Sequence, residues 1–147
     1  MLLDGDAILT TQKSLMPIPL PALDRILLVE DDLDIQTIGR LALEIVGGFT
    51  VTICSSGQEC LTIAPEFKPD LILLDVMMPG MDGLTTLKAL KELSQLCHIP
   101  IIFMTAKVQT HEVVNYKALG AIGVISKPFD PMILATDIQA LWREYYA

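Results

Sequence analysis

Short apolar runs alternate with segments of helical period through most of this chain, from Arg25 to the C-terminus. Short apolar runs bounded by polar or turn residues are typical of strands that are buried on both faces of a parallel sheet. The segments between them carry apolar residues three or four positions apart, which is the spacing of helices that cover such a sheet. The predicted strands lie near residues 26–29, 50–54, 71–74, 101–104 and 123–126.

Five strands that alternate with five helices predict an α/β fold, with a parallel sheet, helices on both of its faces and right-handed crossovers. Five strands are too few for a TIM barrel. Ligands of open parallel sheets bind beyond the carboxyl ends of the strands, so the functional residues are expected there. The predicted helices lie near residues 35–45, 58–67, 85–93, 112–119 and 131–144.

The chain has 147 residues, a length that predicts one domain. Before the first strand, Pro17, Pro19 and Pro21 alternate with apolar residues, a pattern that favours extended conformation. We therefore predict a flexible N-terminal arm over residues 1–23 and a folded domain over residues 24–147.

Charge and cysteine content restrict the classes of partner and site. The net charge of −8 opposes direct nucleic-acid binding, which depends on Lys and Arg neutralising phosphates. No apolar run approaches the ~18 residues of a membrane span, and the N-terminus lacks a basic signal region, so we expect a cytoplasmic protein. The three cysteines, Cys54, Cys60 and Cys97, form no C-x-x-C pair and predict reduced, buried thiols without a metal.

Polar side chains follow three of the predicted strands. Asp75 ends the third strand, Thr105 the fourth, and Lys127 follows the fifth. Burying an unpaired carboxylate costs several kcal/mol, so we expect cations and hydrogen-bond donors around Asp75, including an ion pair with Lys127. With such neighbours Asp75 is a candidate nucleophile, and the hydroxyl of Thr105 is a candidate donor to a phosphoryl oxygen.

The first predicted strand ends in three acidic residues, Glu30, Asp31 and Asp32. One interpretation is an acidic helix N-terminus, where such residues cap free N–H groups. The other is a metal site, because these carboxylates would repel Asp75 unless a cation lay between them. Magnesium is the natural candidate, since it prefers oxygen ligands and is held by one or two carboxylates.

Taken together, these residues resemble the receiver domain of bacterial two-component response regulators. The motifs occur in the order typical of that family and extend the resemblance over residues 25 to about 144. They are Ile26-Leu27-Leu28-Val29-Glu30-Asp31-Asp32, the run from Asp70 to Gly83 with Asp75 at its centre, Met104-Thr105-Ala106, and Lys127-Pro128-Phe129.

The resemblance implies a flavodoxin-like doubly wound (βα)5 fold with strand order 2-1-3-4-5. It implies that Asp75 accepts a phosphoryl group from a histidine kinase or a histidine phosphotransfer protein. The residues that would hold Mg²⁺ are Glu30, Asp31, Asp75 and the backbone carbonyl of Met77, while Thr105 and Lys127 would contact the phosphoryl group. The protein would then be a signalling module that changes its protein contacts, and not a conventional enzyme.

Three positions carry variable or atypical residues. Many receivers have an aromatic residue three positions before the lysine, whereas this chain has Val124, which leaves open how phosphorylation would be relayed. The resemblance places Met77 and Lys107 beside the path of the water that hydrolyses the phosphoaspartate. We predict that the bulky Met77 shields the phosphoaspartate and slows its hydrolysis.

The output of such a domain is expected to be protein contact, with a downstream target or a second receiver. The fourth helix, fifth strand and fifth helix are the surface that receivers usually offer to partners. The aromatic residues Trp142, Tyr145 and Tyr146 either belong to that surface or, as we favour, Trp142 packs on the domain and the tyrosines fray. His98 and His111 are expected at the surface.

Two other functions are consistent with part of the pattern. A phosphohydrolase of the dehalogenase type also has a nucleophilic Asp after an apolar strand, but it needs a second Asp two residues later, where this chain has Met77. A degenerate receiver would act only as a scaffold. Such a protein would have lost Asp75, the acidic pair or Lys127, and all of them are present.

Overall fold

A computed structural model of the chain describes residues 19–147. Residues 1–18 and most of the predicted N-terminal arm lie outside the described residues. The predicted strands are all present and form one five-stranded parallel sheet. They are β1 (Arg25–Val29), β2 (Thr50–Cys54), β3 (Leu71–Asp75), β4 (Ile101–Thr105) and β5 (Gly123–Ser126).

The sheet order is β2-β1-β3-β4-β5, which confirms the flavodoxin-like arrangement. All five residues of β3 and of β4 are buried, as expected for central strands that have helices on both sides. Strand order reverses beside β1, so the carboxyl ends of β1 and β3 meet at one edge of the sheet.

Within residues 19–147, five helices cover the two faces of the sheet, and each face has its own apolar core. The second, third and fourth helices pack on one face, and the first and fifth on the other. The helices are α1 (Leu33–Arg40, continued by a π-helical segment, Leu41–Val46), α2 (Gly57–Phe67), α3 (Gly83–Glu92), α4 (Thr110–Leu119) and α5 (Leu134–Tyr146).

The apolar face that the sequence predicts for α1 differs from the buried one. Of the apolar residues that give this segment its helical period, Ala42 lies fully in the core, whereas Ile38, Leu41 and Ile45 are exposed and Leu43 is buried instead. A π-helix has more than four residues per turn, so the segment Leu41–Val46 rotates its side chains away from the 3.6-residue period. The period used for the prediction therefore does not apply to this half of the helix.

Helix α5 begins later than predicted. Its first residue is Leu134 and not Pro131, because Asp130 organises a turn ahead of the helix. The Asp130 carboxylate accepts a hydrogen bond of 2.8 Å from the N–H of Met132, and the Asp130 carbonyl accepts from the N–H groups of Ile133 and Leu134. These bonds hold residues 131–133 in the turn.

The C-terminal aromatic residues and the segment before β1 contact each other. Trp142 is buried, and its Nε1 donates a hydrogen bond of 2.9 Å to the carbonyl of Pro21. Leu23 packs against the core formed by α1 and α5. Tyr145 and Tyr146 remain substantially exposed. Trp142 is thus part of the core, as favoured from the sequence, and is not available to a partner surface.

Cys54 and Cys60 are buried free thiols, and burial raises the pKa of each to about 12. Cys97 is also free but exposed, so the prediction of buried thiols was wrong for this residue, which lies in the polar turn region after α3.

Both histidines are exposed, as predicted. Within residues 19–147 no helix combines the length and the apolar character needed to cross a membrane.

Candidate phosphoacceptor and metal site

Asp75 is the last residue of β3 and is only 2% exposed. One carboxylate oxygen accepts a hydrogen bond of 3.3 Å from the N–H of Met77. Gly83 packs against the carbonyl of Asp75, where any Cβ would collide with the backbone. The turn between β3 and α3 thus folds back tightly, and the carboxylate lies at the switch point of the sheet.

Lys127 follows β5 and reaches the same edge. Its Nζ lies 3.3 Å from Asp75 Oδ1, so the predicted ion pair is present. A shorter contact of 2.7 Å joins Nζ to Glu30 Oε1. Burial lowers the pKa of Lys127, but the hydrogen bonds and charges of the two carboxylates outweigh it and raise the pKa above its usual value. The ammonium group is therefore charged, and it links the ends of β1, β3 and β5.

Glu30 is fully buried directly after β1. Besides the contact with Lys127, its Oε2 accepts a hydrogen bond of 3.1 Å from the N–H of Asp32. Burial raises the pKa of Glu30 to about 7, despite the opposing hydrogen bond from Lys127, and the charge of Asp75 adds to the increase. Additional positive charge near Glu30 would stabilise its ionised form, which burial and the charge of Asp75 disfavour.

Such charge can be supplied by a metal ion. Carboxylate oxygens of Glu30, Asp31 and Asp75 all lie within 4.8 Å of one another. Asp31 is exposed, so this group of oxygens opens to solvent on one side. A set of hard oxygen ligands with room for water is what Mg²⁺ requires, and the residues present fit that ion.

The alternative interpretation of the acidic run applies to one residue. Asp32 caps α1, and its Oδ1 accepts hydrogen bonds from the N–H groups of Asp34 and Ile35 at 2.8 and 3.1 Å. Glu30 and Asp31 are not part of that cap. The run thus divides into one capping residue and two residues that face Asp75.

Thr105 ends β4, one residue after Met104, which pairs with Asp75 in the sheet, and is 2% exposed. Its hydroxyl accepts a hydrogen bond of 3.1 Å from the N–H of Lys107, whose side chain is exposed. Met77 is largely exposed at the start of the turn after Asp75. Val124 is half-buried and packs against the core on the α2, α3 and α4 face. The roles predicted for these four residues remain proposals.

Sequence reasoning missed Gln36, which belongs to α1. Its Nε2 donates to the carbonyl of Glu30 at 2.6 Å and to the hydroxyl of Ser55 at 3.1 Å. The side chain thereby ties the end of β1 to the residue after β2. Glutamine is common on exposed helix surfaces, so its sequence context carries no signal for this contact.

Residues 26–139 match the response regulator receiver domain family. The chain belongs to this family. The match covers all the site residues described above. Receiver domains act in two-component systems as signalling modules, where histidine kinases and downstream effectors are their partners, and this receiver is assigned to the same class.

Curated relatives of this receiver include regulators with longer chains. It is 40% identical over 94 residues to the probable transcriptional regulator ycf29 of Porphyra purpurea, covering 64% of this chain and 45% of that protein. It is 38% identical over 119 residues to the DNA-binding response regulator MtrA of Mycobacterium tuberculosis, covering 81% of this chain and 50% of MtrA. The receiver spans about half the length of these relatives.

Two similar solved structures are covered by this receiver over nearly their whole length. The chemotaxis protein CheY4 of Vibrio cholerae has 32% identity and a TM-score of 0.75, with 82% of this chain and 99% of that chain covered. A response regulator from Desulfuromonas acetoxidans has 28% identity and a TM-score of 0.73, with 84% and 99% covered.

Proposed function

We propose that this receiver is phosphorylated on Asp75 by a histidine kinase or a histidine phosphotransfer protein, and that phosphorylation changes its protein contacts. In the transfer, the P–N bond of the donor phosphohistidine breaks and a P–O bond to the Asp75 carboxylate forms. The electron pair of the broken bond remains on the histidine nitrogen. The donor histidine belongs to the partner.

The observation that supports this proposal best is the group of charges around Asp75. Lys127 Nζ lies 3.3 Å from the carboxylate, and oxygens of Glu30 and Asp31 lie within 4.8 Å of it. Phosphoryl transfer is catalysed mainly by positioning and charge stabilisation, so a lysine, a hydroxyl and a metal around one carboxylate are sufficient.

Glu30, Asp31, Asp75 and the carbonyl of Met77 would hold Mg²⁺. A bound Mg²⁺ would neutralise negative charge on the transferring phosphoryl oxygens. Lys127 would pair with one of those oxygens, because its ammonium group already lies between two carboxylates. The buried hydroxyl of Thr105 would donate to another, since it ends the strand next to β3.

Absence of DNA binding by this chain remains an expectation from its net charge of −8, because relatives such as MtrA are named as DNA-binding regulators. A phosphohydrolase of the dehalogenase type is disfavoured, because Met77 occupies the position of the required acid. Because that acid is missing, hydrolysis of the phosphoaspartate by the receiver itself is expected to be slow.

The test is incubation with acetyl phosphate and Mg²⁺, followed by intact mass measurement. Wild type should gain the mass of one phosphoryl group, and Asp75→Asn should not. Asp137→Asn serves as the matched control, because Asp137 is an exposed aspartate on α5. Unmodified wild type under saturating Mg²⁺, or equal modification of Asp75→Asn, would rule out Asp75 as the phosphoacceptor.

A further inference from the structure

A groove of about 560 Å³ runs between α3 and α4, away from the phosphoacceptor site. Its apolar lining comes from Leu84 and Leu87 on α3 and from Leu119 at the end of α4. Leu119 is 46% exposed, whereas Leu87 is buried and forms part of the core. The volume is within the range of ordinary binding pockets, about 300–1,000 Å³.

Helix α4 leaves this groove open because it is attached to the domain by little of its surface. Among its ten residues only Tyr116 is buried, where its ring packs edge-on against Phe103 at 5.3 Å. Leu119 ends the helix and is the exposed apolar side chain that borders the groove. Exposed apolar surface beside a groove is typical of a protein interaction site.

Positive charge lies along the same groove. Lys88 and Lys91 line it from successive turns of α3, and Lys117 lies on α4. Within residues 19–147 no carboxylate lies within 4.0 Å of any of these three ammonium groups. The one acidic side chain in the lining is Glu92. On a chain with a net charge of −8, two lysines that line an apolar groove and have no carboxylate partner form a distinct electrostatic feature.

We propose that the groove between α3 and α4 binds an acidic amphipathic helix of a protein partner. Apolar side chains at helical spacing would enter between Leu84 and Leu119, and carboxylates beside them would pair with Lys88 and Lys91. This is helix-in-groove recognition, in which the apolar face supplies affinity and the charges supply orientation and association rate. The proposal is independent of the chemistry at Asp75.

The probe is a fluorescein-labelled synthetic helix with leucine at positions i, i+3, i+4 and i+7 and glutamate at most other positions. Two control peptides have lysine in place of glutamate, or the original composition in an order without helical period. Binding is measured by fluorescence anisotropy and located by amide chemical-shift changes in NMR spectra. The acidic helical peptide alone should bind, with shifts concentrated in α3 and α4.

Two variants with the same charge change separate the groove from the rest of the surface. Lys91→Glu should weaken binding about fivefold to tenfold, because it replaces an attraction by a repulsion. Arg143→Glu, on the exposed side of α5, should change the affinity by less than about twofold. Leu119→Ser should also weaken binding, while circular dichroism confirms that all three variants are folded.

Several results would overturn the proposal. Equal binding of the peptide without helical period, equal binding of the lysine peptide, or shifts confined to α1 and α5 would each place recognition elsewhere. Concentration-dependent dimerisation that Leu119→Ser abolishes and that blocks the peptide would assign the groove to a second copy of this chain. Equal loss of affinity in Arg143→Glu and Lys91→Glu would indicate a nonspecific charge effect.

Discussion

The ammonium group of Lys127 lies 2.7 Å from a carboxylate oxygen of Glu30, nearer than its 3.3 Å contact with Asp75. Glu30 is fully buried and shares the cation with the proposed phosphoacceptor. Removing one partner of a buried charge group leaves the others uncompensated, so the ends of β1, β3 and β5 are coupled electrostatically. This coupling leads to measurable effects of pH and of Mg²⁺.

The first prediction concerns pH. Glu30 has a pKa of about 7 in the folded protein and 4.5 as its ordinary value, so between these values the folded state holds a proton that the unfolded state has released. The free energy of unfolding should therefore fall by about 3 kcal/mol as the pH rises from 4.5 to 7 without Mg²⁺. Urea denaturation across this range measures the effect.

Glu30→Gln is the matched variant for this measurement, because it keeps the size of the side chain and cannot titrate. Its free energy of unfolding should depend less on pH than that of wild type over the same range. An identical pH dependence in the two proteins would show that other groups are responsible.

The second prediction concerns Mg²⁺. An ion at ten times its Kd that binds only the folded state should add about 1.4 kcal/mol to the free energy of unfolding and raise the Tm by roughly 4 °C. Asp31→Ala should lose most of this increase, because it removes one of the three clustered carboxylates. Asp137→Ala, which removes an exposed carboxylate from α5, should retain it. If Mg²⁺ raised the Tm of wild type, Asp31→Ala and Asp137→Ala by the same amount, the proposed metal site would be contradicted.

The third prediction concerns the lifetime of the phosphorylated state. Met77→Asn should increase the rate of phosphate release about fivefold, equivalent to ~1 kcal/mol of the hydrolysis barrier, because a smaller polar side chain admits water more easily. Met132→Asn is the control, since Met132 is 68% exposed, close to the 67% of Met77, and lies in another loop. An unchanged rate in Met77→Asn would remove the shielding role.

The fourth prediction concerns the segment before β1. Trp142→Phe should lower the free energy of unfolding because the smaller ring buries less apolar surface. The loss of the hydrogen bond to Pro21 should lower it by about 1 kcal/mol more. Tyr146→Phe, on the same helix, should have a smaller effect, since Tyr146 is 37% exposed. Chemical denaturation gives both values, and equal losses would argue against the contribution of the hydrogen bond.

The five βα units and the identity of the residues at the strand ends could be read directly from the chain. Runs such as Leu71–Leu74 are short, apolar and bounded by polar and turn residues, which favours a buried strand, and Asp75 and Lys127 each lie where such a strand ends. Because parallel strands bring their carboxyl ends to one edge, the prediction that these two residues meet required only the fold class.

Tertiary structure decided the features that depend on distances between elements. Leu41 and Ile45 follow a helical period but are exposed, because both lie in a π-helical segment that changes the phase, and Leu43 is buried in their place. Likewise, no local pattern marks the contact of Gln36 with Glu30.

The sequence by itself determined the fold, the family and the set of charged residues around Asp75, because all three follow from periodicity and from short motifs. The distribution of Lys127 between Glu30 and Asp75, the burial that raises the pKa of Glu30 and the open groove beside α4 were decided only by the tertiary structure. These properties depend on how residues distant in the chain pack together, and the sequence of one strand or helix does not specify that packing.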